Sequence, residues 1–266
     1  MKLTYCPLFS GSSGNASFVE GGGVRILVDA GLSGKTICQA LESIGILPET
    51  IQGILITHEH SDHIKAAGIL SRKYRIPVYA NALTWEAMMK HVQPIAPHLQ
   101  VTFETNESFY IGNMCIHPFS VPHDAAQAVG YRIDCEGRSI GIATDMGYIK
   151  KAVFDVLSGC DLVLLESNFD PELLQDNPKY RQSLKNRILG RRGHLSNENC
   201  AFFIQRLYET GVRNFVLGHL SKDNNTPALA HRTVTNFLME KGIQVGKDLQ
   251  VNMSWRDKVG QVYTID

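Results

Sequence analysis

No apolar run in this 266-residue chain approaches the roughly 20 residues that a membrane-spanning helix requires. The N-terminus, MKLTYCPLFSGSSGN, carries a single Lys and a short apolar patch, without the hydrophobic region of a signal peptide. Net charge is also missing. The 26 basic residues balance the 26 acidic ones, which excludes both a histone-like grip on polyanions by bulk charge and an acidic disordered tail. There is no CxxC pair, and Cys6, Cys38, Cys115, Cys135, Cys160 and Cys200 are too scattered to suggest a disulfide framework. No linker, low-complexity stretch or repeat interrupts the chain. What remains, at 44% hydrophobic and 20% charged residues, is an ordinary globular protein with a substantial core, expected in the reducing cytoplasm.

The local pattern mixes strands and helices. Short apolar runs at 2–9, 16–20 and 24–29, parted by Gly/Ser turns, read as a β-meander. Helical spacing follows at 33–44, an apolar strand at 53–57 and a helical run at 63–74. Further strands fit 77–80, 99–103, 107–111, 114–119, 125–135 and 138–144. Beyond these, helices at 148–157, 178–190, 196–210 and 226–240 alternate with strands at 161–165 and 214–218. Strand clusters in both halves predict two packed sheets with helices on their outer faces.

The ten histidines are unevenly placed. The strand Ile54-Leu55-Ile56 runs directly into Thr57-His58-Glu59-His60-Ser61-Asp62-His63. Imidazole nitrogen and carboxylate oxygen are the donors of Zn, Mn or Fe hydrolytic centres. His58 and His60 are two apart and point to one side of an extended chain. Asp62 and His63 follow where the chain turns into a helix, placed to address a second cation.

This stretch resembles the HxHxDH signature of the metallo-β-lactamase superfamily, and the other positions of that pattern are filled in order. Asp29 ends the strand Val24–Val28 and matches the early Asp that orients the metal-binding turn. His123 in Val121-Pro122-His123-Asp124 matches the third His of the first metal. His117 competes for that place, but the Pro-His-Asp turn puts His123 past its strand. Asp145, after Ile142-Ala143-Thr144, matches the bridging carboxylate, and His219, after Val216-Leu217-Gly218, matches the last ligand. The resemblance implies an α/β fold, an αββα sandwich of two mixed sheets flanked by helices, with a dinuclear metal site at one edge. It places His58, His60 and His123 on one divalent ion (Zn, Mn or Fe). Asp62, His63 and His219 fall on the other, with Asp145 and a hydroxide bridging. Oxygen-reducing di-iron relatives carry a carboxylate where His60 stands, so the pattern favours hydrolysis. His91, His98 and His231 read as surface histidines.

The superfamily's metals serve many hydrolases, and the choice among them rests on Arg191-Arg192-Gly193-His194-Leu195-Ser196 and Gly218-His219-Leu220-Ser221. This pair of elements resembles the tRNA-processing phosphodiesterases, in which the extra His meets the scissile phosphate. Carried over, His194 stabilises charge or acts as general acid, beside Asp62 and Asp145, at a helix start capped by Ser196 or Asn197. With Leu8-Phe9-Ser10-Gly11-Ser12-Ser13-Gly14-Asn15 added, the chain is similar to the YycJ/WalJ branch of this superfamily, described as DNA exonucleases. Ser12, Ser13 and Asn15 in that turn, and Ser221, become candidate phosphate contacts.

Charge placement agrees with a polyanionic substrate. Lys179, Arg181, Lys185, Arg187, Arg191 and Arg192 form a run without an acid, and outside it the chain is formally −6. Arg181/Lys185 and Arg187/Arg191 are spaced to share helix faces, with Arg191 and Arg192 nearest His194. Lys65, Arg72, Lys73 and Arg75 extend the basic track, and Phe169, Tyr180 and Phe202 lie near enough to stack bases, although core packing is their more ordinary use. Only 48 residues separate Asp145 from His194, too few for the cap domain that larger nucleases insert there. The expectation is a single domain over 1–266 with an open site, no membrane association, and a homo-oligomer permitted. Competing readings are a hydrolase of small phosphodiesters such as cyclic nucleotides, a thioester or lactone hydrolase, and a metal-stabilised interaction module.

Overall fold

The computed structural model describes residues 2–266 and arranges them as two facing sheets of seven strands. In the first, β1 (Leu3–Phe9), β2 (Ala16–Gly21) and β3 (Val24–Val28) form an antiparallel meander. Past α1 (Gly34–Ser43), β4 (Gly53–Leu55) runs parallel to β3. Next come α2 (Ser61–Ile64), α3 (Ala67–Tyr74), β5 (Val78–Ala80), α4 (Ala82–Met88) and β6 (Gln100–Thr102), with β4, β5 and β6 parallel. The second sheet repeats this plan. The strands β7 (Phe109–Ile111), β8 (Met114–Ser120), β9 (Val129–Cys135) and β10 (Arg138–Ala143) are antiparallel. The chain continues through α5 (Lys151–Leu157), β11 (Leu162–Glu166), α6 (Pro171–Asp176), α7 (Gln182–Leu189), α8 (Asn197–Tyr208), β12 (Asn214–Gly218), α9 (Pro227–Glu240) and β13 (Gln250–Met253), and β10 to β13 are parallel. Finally β14 (Tyr263–Ile265) crosses back to pair with β1.

Alternation along the strands sorts their side chains into three apolar layers. In β3, Ile26 and Val28 face the opposite sheet while Leu27 faces helices. In β11, Leu162 and Leu164 point between the sheets, and Val163 and Leu165 point outward under α8 and α9. Strands covered on both faces read as continuous apolar runs rather than alternating ones. The layers are therefore helix, sheet, sheet, helix, and the αββα architecture is as expected. All six cysteines are free thiols, and no helix among the described residues is long and apolar enough to cross a membrane.

The parallel halves bring carboxyl ends of β3, β4, β10, β11 and β12 to one edge, where open α/β sheets form their ligand crevices. Holding the turns there depends on small residues. A Cβ on Gly31 would stand 1.6 Å from the Asp62 carbonyl oxygen and 2.7 Å from the Asn15 nitrogen. Backbone bonds from Asn15 to Asp62 and from Gly31 to Asn15, both 2.8 Å, lock this crossing. Gly31→Ala should therefore lower the unfolding free energy by about 3 kcal/mol or more, read from urea denaturation. A loss well under 1 kcal/mol would show that the Asp62 turn can move away.

Several local expectations are corrected. The strand expected over 125–135 begins at Val129, because the preceding turn is held by the Ala126 amide, which donates to Glu59 Oε1 at 2.8 Å. The helix expected over 178–190 is only Gln182–Leu189, so Arg181 is its N-cap and Arg191 lies beyond its end. Arg187 and Arg191 therefore do not share a helix face. The elements α4, α6, β13 and β14 leave no clear pattern in the sequence. Each is short, and β14 exists by pairing with a strand more than 250 residues away.

Candidate active site

The edge is assembled from strand ends. Asp29 follows β3, residues 57–63 follow β4, His123 and Asp145 follow β8 and β10, Glu166 closes β11, and His219 follows β12. Asp29, Asp145 and His219 adopt left-handed backbone, with φ of 64°, 59° and 55°. Such positions cost about 1–3 kcal/mol each and persist where neighbours over-determine them. At Asp29 those neighbours are visible. Its carboxylate accepts from the Thr57 amide at 2.9 Å, from Thr57 Oγ1 at 2.9 Å and from His63 Nδ1 at 2.7 Å. The bond to Nδ1 fixes the His63 ring with Nε2 turned inward.

Two sets of donors result. His58, His60 and His123 offer nitrogens within 4.8 Å of one another, as do the donor atoms of Asp62, His63 and His219. Asp145 lies between them, with Oδ2 3.5 Å from His63 Nε2 and Oδ1 3.7 Å from His123 Nε2. His123 Nδ1 is taken by the Gly193 carbonyl at 3.2 Å and His219 Nδ1 by Glu166 at 2.8 Å, so both present Nε2 to the gap. His58 Nε2, His123 Nε2, His219 Nε2 and Asp145 Oδ2 are buried without a hydrogen-bond partner among the described residues. Four orphaned polar atoms buried around one space are costly to leave unpartnered, and divalent cations fit that set of nitrogen and carboxylate ligands. His117 stays in β8, bonded to Ser108, and His91 and His98 are exposed.

The cation-free electrostatics reflect the same crowding. Burial and the neighbouring His63, His123 and His60 hold His58 well below the ordinary imidazole range. Burial also opposes a charge on His219, but Asp145, Asp62 and Glu166 outweigh it and raise the group to about 10. For Asp62, burial is overcome by the His219 and His63 imidazoles, whose Nε2 atoms stand 3.8 and 3.5 Å from its carboxylate and hold it far below its usual range.

Glu166 belongs to no motif of the sequence, and the structure brings it to the site. It is fully buried, and Oε1 accepts from both His194 Nδ1 at 2.6 Å and His219 Nδ1 at 2.8 Å. Its other oxygen accepts from the amides of Met146 and Leu195. With its acceptors so engaged, Glu166 orients imidazoles rather than holding a cation, although it lies within donor distance of Asp145, His194 and His219. The signal available in the sequence was an acid closing the wholly apolar Leu162-Val163-Leu164-Leu165. Burial opposes the His194 charge, and the Glu166 carboxylate outweighs it, raising that group. The His194 side chain is 21% exposed, with its ring 5.2 Å from that of His123 and 5.4 Å from that of His219. Ser196 caps α8 through the Asn199 amide.

Other expected contacts are placed differently. Asn15 is buried, and its amide bonds Gly11, Asp62 and His63, pinning the Gly/Ser turn to the histidine turn. Ser221 is buried and accepts from the Asn224 amide. Ser12 and Ser13 are exposed, and Ser12 lines a cleft of about 550 Å³ with Tyr180, Leu184, Ile188 and His194. The basic run is largely engaged. Lys179 pairs with Asp223, Arg187 with Asp124, Lys185 is buried on the Gln175 carbonyl, and Arg192 donates to the carbonyls of His123 and Ala125. Arg191 instead lies over the Tyr148 ring, 4.5 Å from its centroid. Arg72 is tied to Pro94 and Gln93, Lys73 lies over Tyr74, and Phe169 is core.

A family model described as the β-lactamase superfamily domain matches residues 24–220. Exodeoxyribonuclease WalJ of Streptococcus pneumoniae is 41% identical over 93% of this chain and 92% of its own length. Exodeoxyribonuclease YycJ of Bacillus anthracis is 37% identical over 95% of each. Among solved structures, the metallo-β-lactamase fold protein YhfI of Bacillus subtilis superposes with a TM-score of 0.73 at 15% identity, covering 99% of this chain and 100% of its own. The family match and the two full-length relatives agree with the strand-end donor sets described above, and this chain belongs to the β-lactamase superfamily.

Proposed function

We propose that this protein is a metal-dependent phosphodiesterase of the cytoplasm that removes nucleotides from DNA ends, an exodeoxyribonuclease. His58, His60 and His123 would hold one divalent ion and Asp62, His63 and His219 a second, with Asp145 shared. Such ions, when bound, supply Lewis acidity to a phosphoryl oxygen and acidify water toward neutrality. The observation that carries the reading is His194. It is a partly exposed imidazole outside both donor sets, tied through Nδ1 to Glu166 and so presenting Nε2 toward the space beside them. A group placed there stabilises a phosphate during displacement or protonates the departing oxygen. The names of the two full-length relatives support DNA as the polymer. The cleft beside His194, where Tyr180, Leu184 and Ile188 stand beside the Arg187–Asp124 pair, would receive the terminal nucleotide.

The test is degradation of 5′- and 3′-labelled single- and double-stranded DNA and RNA by protein reconstituted with Mn²⁺ or Zn²⁺. Wild type should release mononucleotides from DNA, and His194→Ala should be slower by about 10²–10³-fold, with His60→Ala at least as impaired. If reconstituted wild type cleaves none of these substrates, or both variants cut as wild type does, the nuclease reading fails.

A further inference from the structure

With most of the 179–192 run engaged in local bonds, the cations available to a polyanion must be sought elsewhere. They lie on the other side of His123. An open groove of about 820 Å³ is lined by His123, Gln127, Tyr148, Lys150, Arg191 and Arg192, without an acidic residue. A second depression, of about 560 Å³, is lined by Ile149, Lys150, Lys151, Phe154, Phe202, Phe203 and Arg206, again without an acid. Lys150 borders both, so the two form one surface that starts at the donor sets and passes over the start of α5 to α8.

Cations and rings alternate along it. Arg191 covers Tyr148 at 4.5 Å, Arg206 covers Phe154 at 4.9 Å, and Phe202 is 47% exposed on α8. Among the described residues neither Lys150 nor Arg191 has an ion-pair partner. Lys151 pairs with Asp155, and Arg206 stands 4.0 Å from Glu209, so these two contribute less. A duplex hides its base faces and gains nothing from exposed rings. An unpaired strand offers both repeating phosphates and free π-faces, the combination that basic grooves with aromatic platforms bind without sequence preference.

We propose that this surface is the path of an unpaired polynucleotide strand leading away from the active-site edge. Phosphates meet Lys150 and the Arg191 guanidinium held over Tyr148, and bases stack on Phe202. The path rests on the phosphodiesterase reading for its direction, since the strand must reach the edge to be cut. Its binding is measurable without turnover.

The experiment is fluorescence anisotropy with labelled oligothymidine of about 12 nucleotides, in EDTA, for wild type, Lys150→Ala, Phe202→Ala and the double variant. Both side chains are at the surface, and thermal melts confirm folding. Phe202→Ala should weaken binding about fivefold or more. Lys150→Ala should lower the slope of log K against log salt by about 0.7, and hydrolysis of bis(p-nitrophenyl) phosphate should be unchanged in every variant. Binding within twofold of wild type in the double variant, or an equal loss on a blunt duplex, would overturn the path. If instead wild type binds as expected but hydrolyses no phosphodiester with any metal, the path stands and the proposed activity falls.

Discussion

Asp145→Asn should reduce phosphodiester hydrolysis on the order of 10³-fold or more and cost the protein at least one equivalent of bound metal. Asp145 is the group that approaches both donor sets, 3.5 Å from His63 and 3.7 Å from His123. Its Oδ2 is buried without a partner among the described residues. An amide keeps the shape and removes the charge. Asparagine also tolerates the left-handed backbone that Asp145 occupies at φ 59°, so the loss would not be backbone strain. Cations at such a site contribute several kcal/mol of charge stabilisation, and about 4 kcal/mol corresponds to the stated factor. Turnover and metal content by mass spectrometry, measured on the same preparations, check the prediction. A variant with full metal and turnover within tenfold of wild type would remove Asp145 from its shared position.

Glu166→Gln should lower kcat about 100-fold while changing KM little, although Glu166 need touch neither substrate nor metal. Its Oε1 serves two imidazoles and its Oε2 serves two backbone amides. A glutamine can satisfy only one side, because its NH₂ must face either the two imidazole N–H groups or the two amide N–H groups. The carboxylates and carbonyls that orient ligand histidines typically contribute 10- to 100-fold, and here one carboxylate orients both His219 and His194. Because part of the effect runs through His194, Glu166→Gln combined with His194→Ala should be less than multiplicative, the remainder being the share that runs through His219. Nitrogen NMR of the histidine rings gives a readout that merely reduced stability would not produce, namely loss of the fixed Nδ1–H state at both residues. Multiplicative losses with unchanged ring signals would reduce Glu166 to a core residue.

The layers and the donor residues could be read from the chain because both are written in local order. Cover on both faces makes the ends of β3 and β12 apolar, Ile26-Leu27-Val28 and Phe215-Val216-Leu217, and each leads to the polar residue that the edge uses, Asp29 and His219. The three histidines and Asp62 within residues 58–63 fall together by covalent spacing alone. What tertiary structure decided is everything that depends on a distant partner. Glu166 gains its meaning from His194 and His219, 28 and 53 residues away. Arg187 is neutralised by an acid 63 residues upstream, and Asn15 turns inward because Asp62 and His63 pack on it. The basic run looked like a track because spacing shows which charges are neighbours along a helix but not which are already paired. The groove of Lys150, Arg191 and Phe202 draws on residues from three segments that share no pattern in sequence. Short-range sterics and burial fix the alternation of a strand, whereas a hydrogen bond or ion pair between distant segments exists only once topology has brought them within reach.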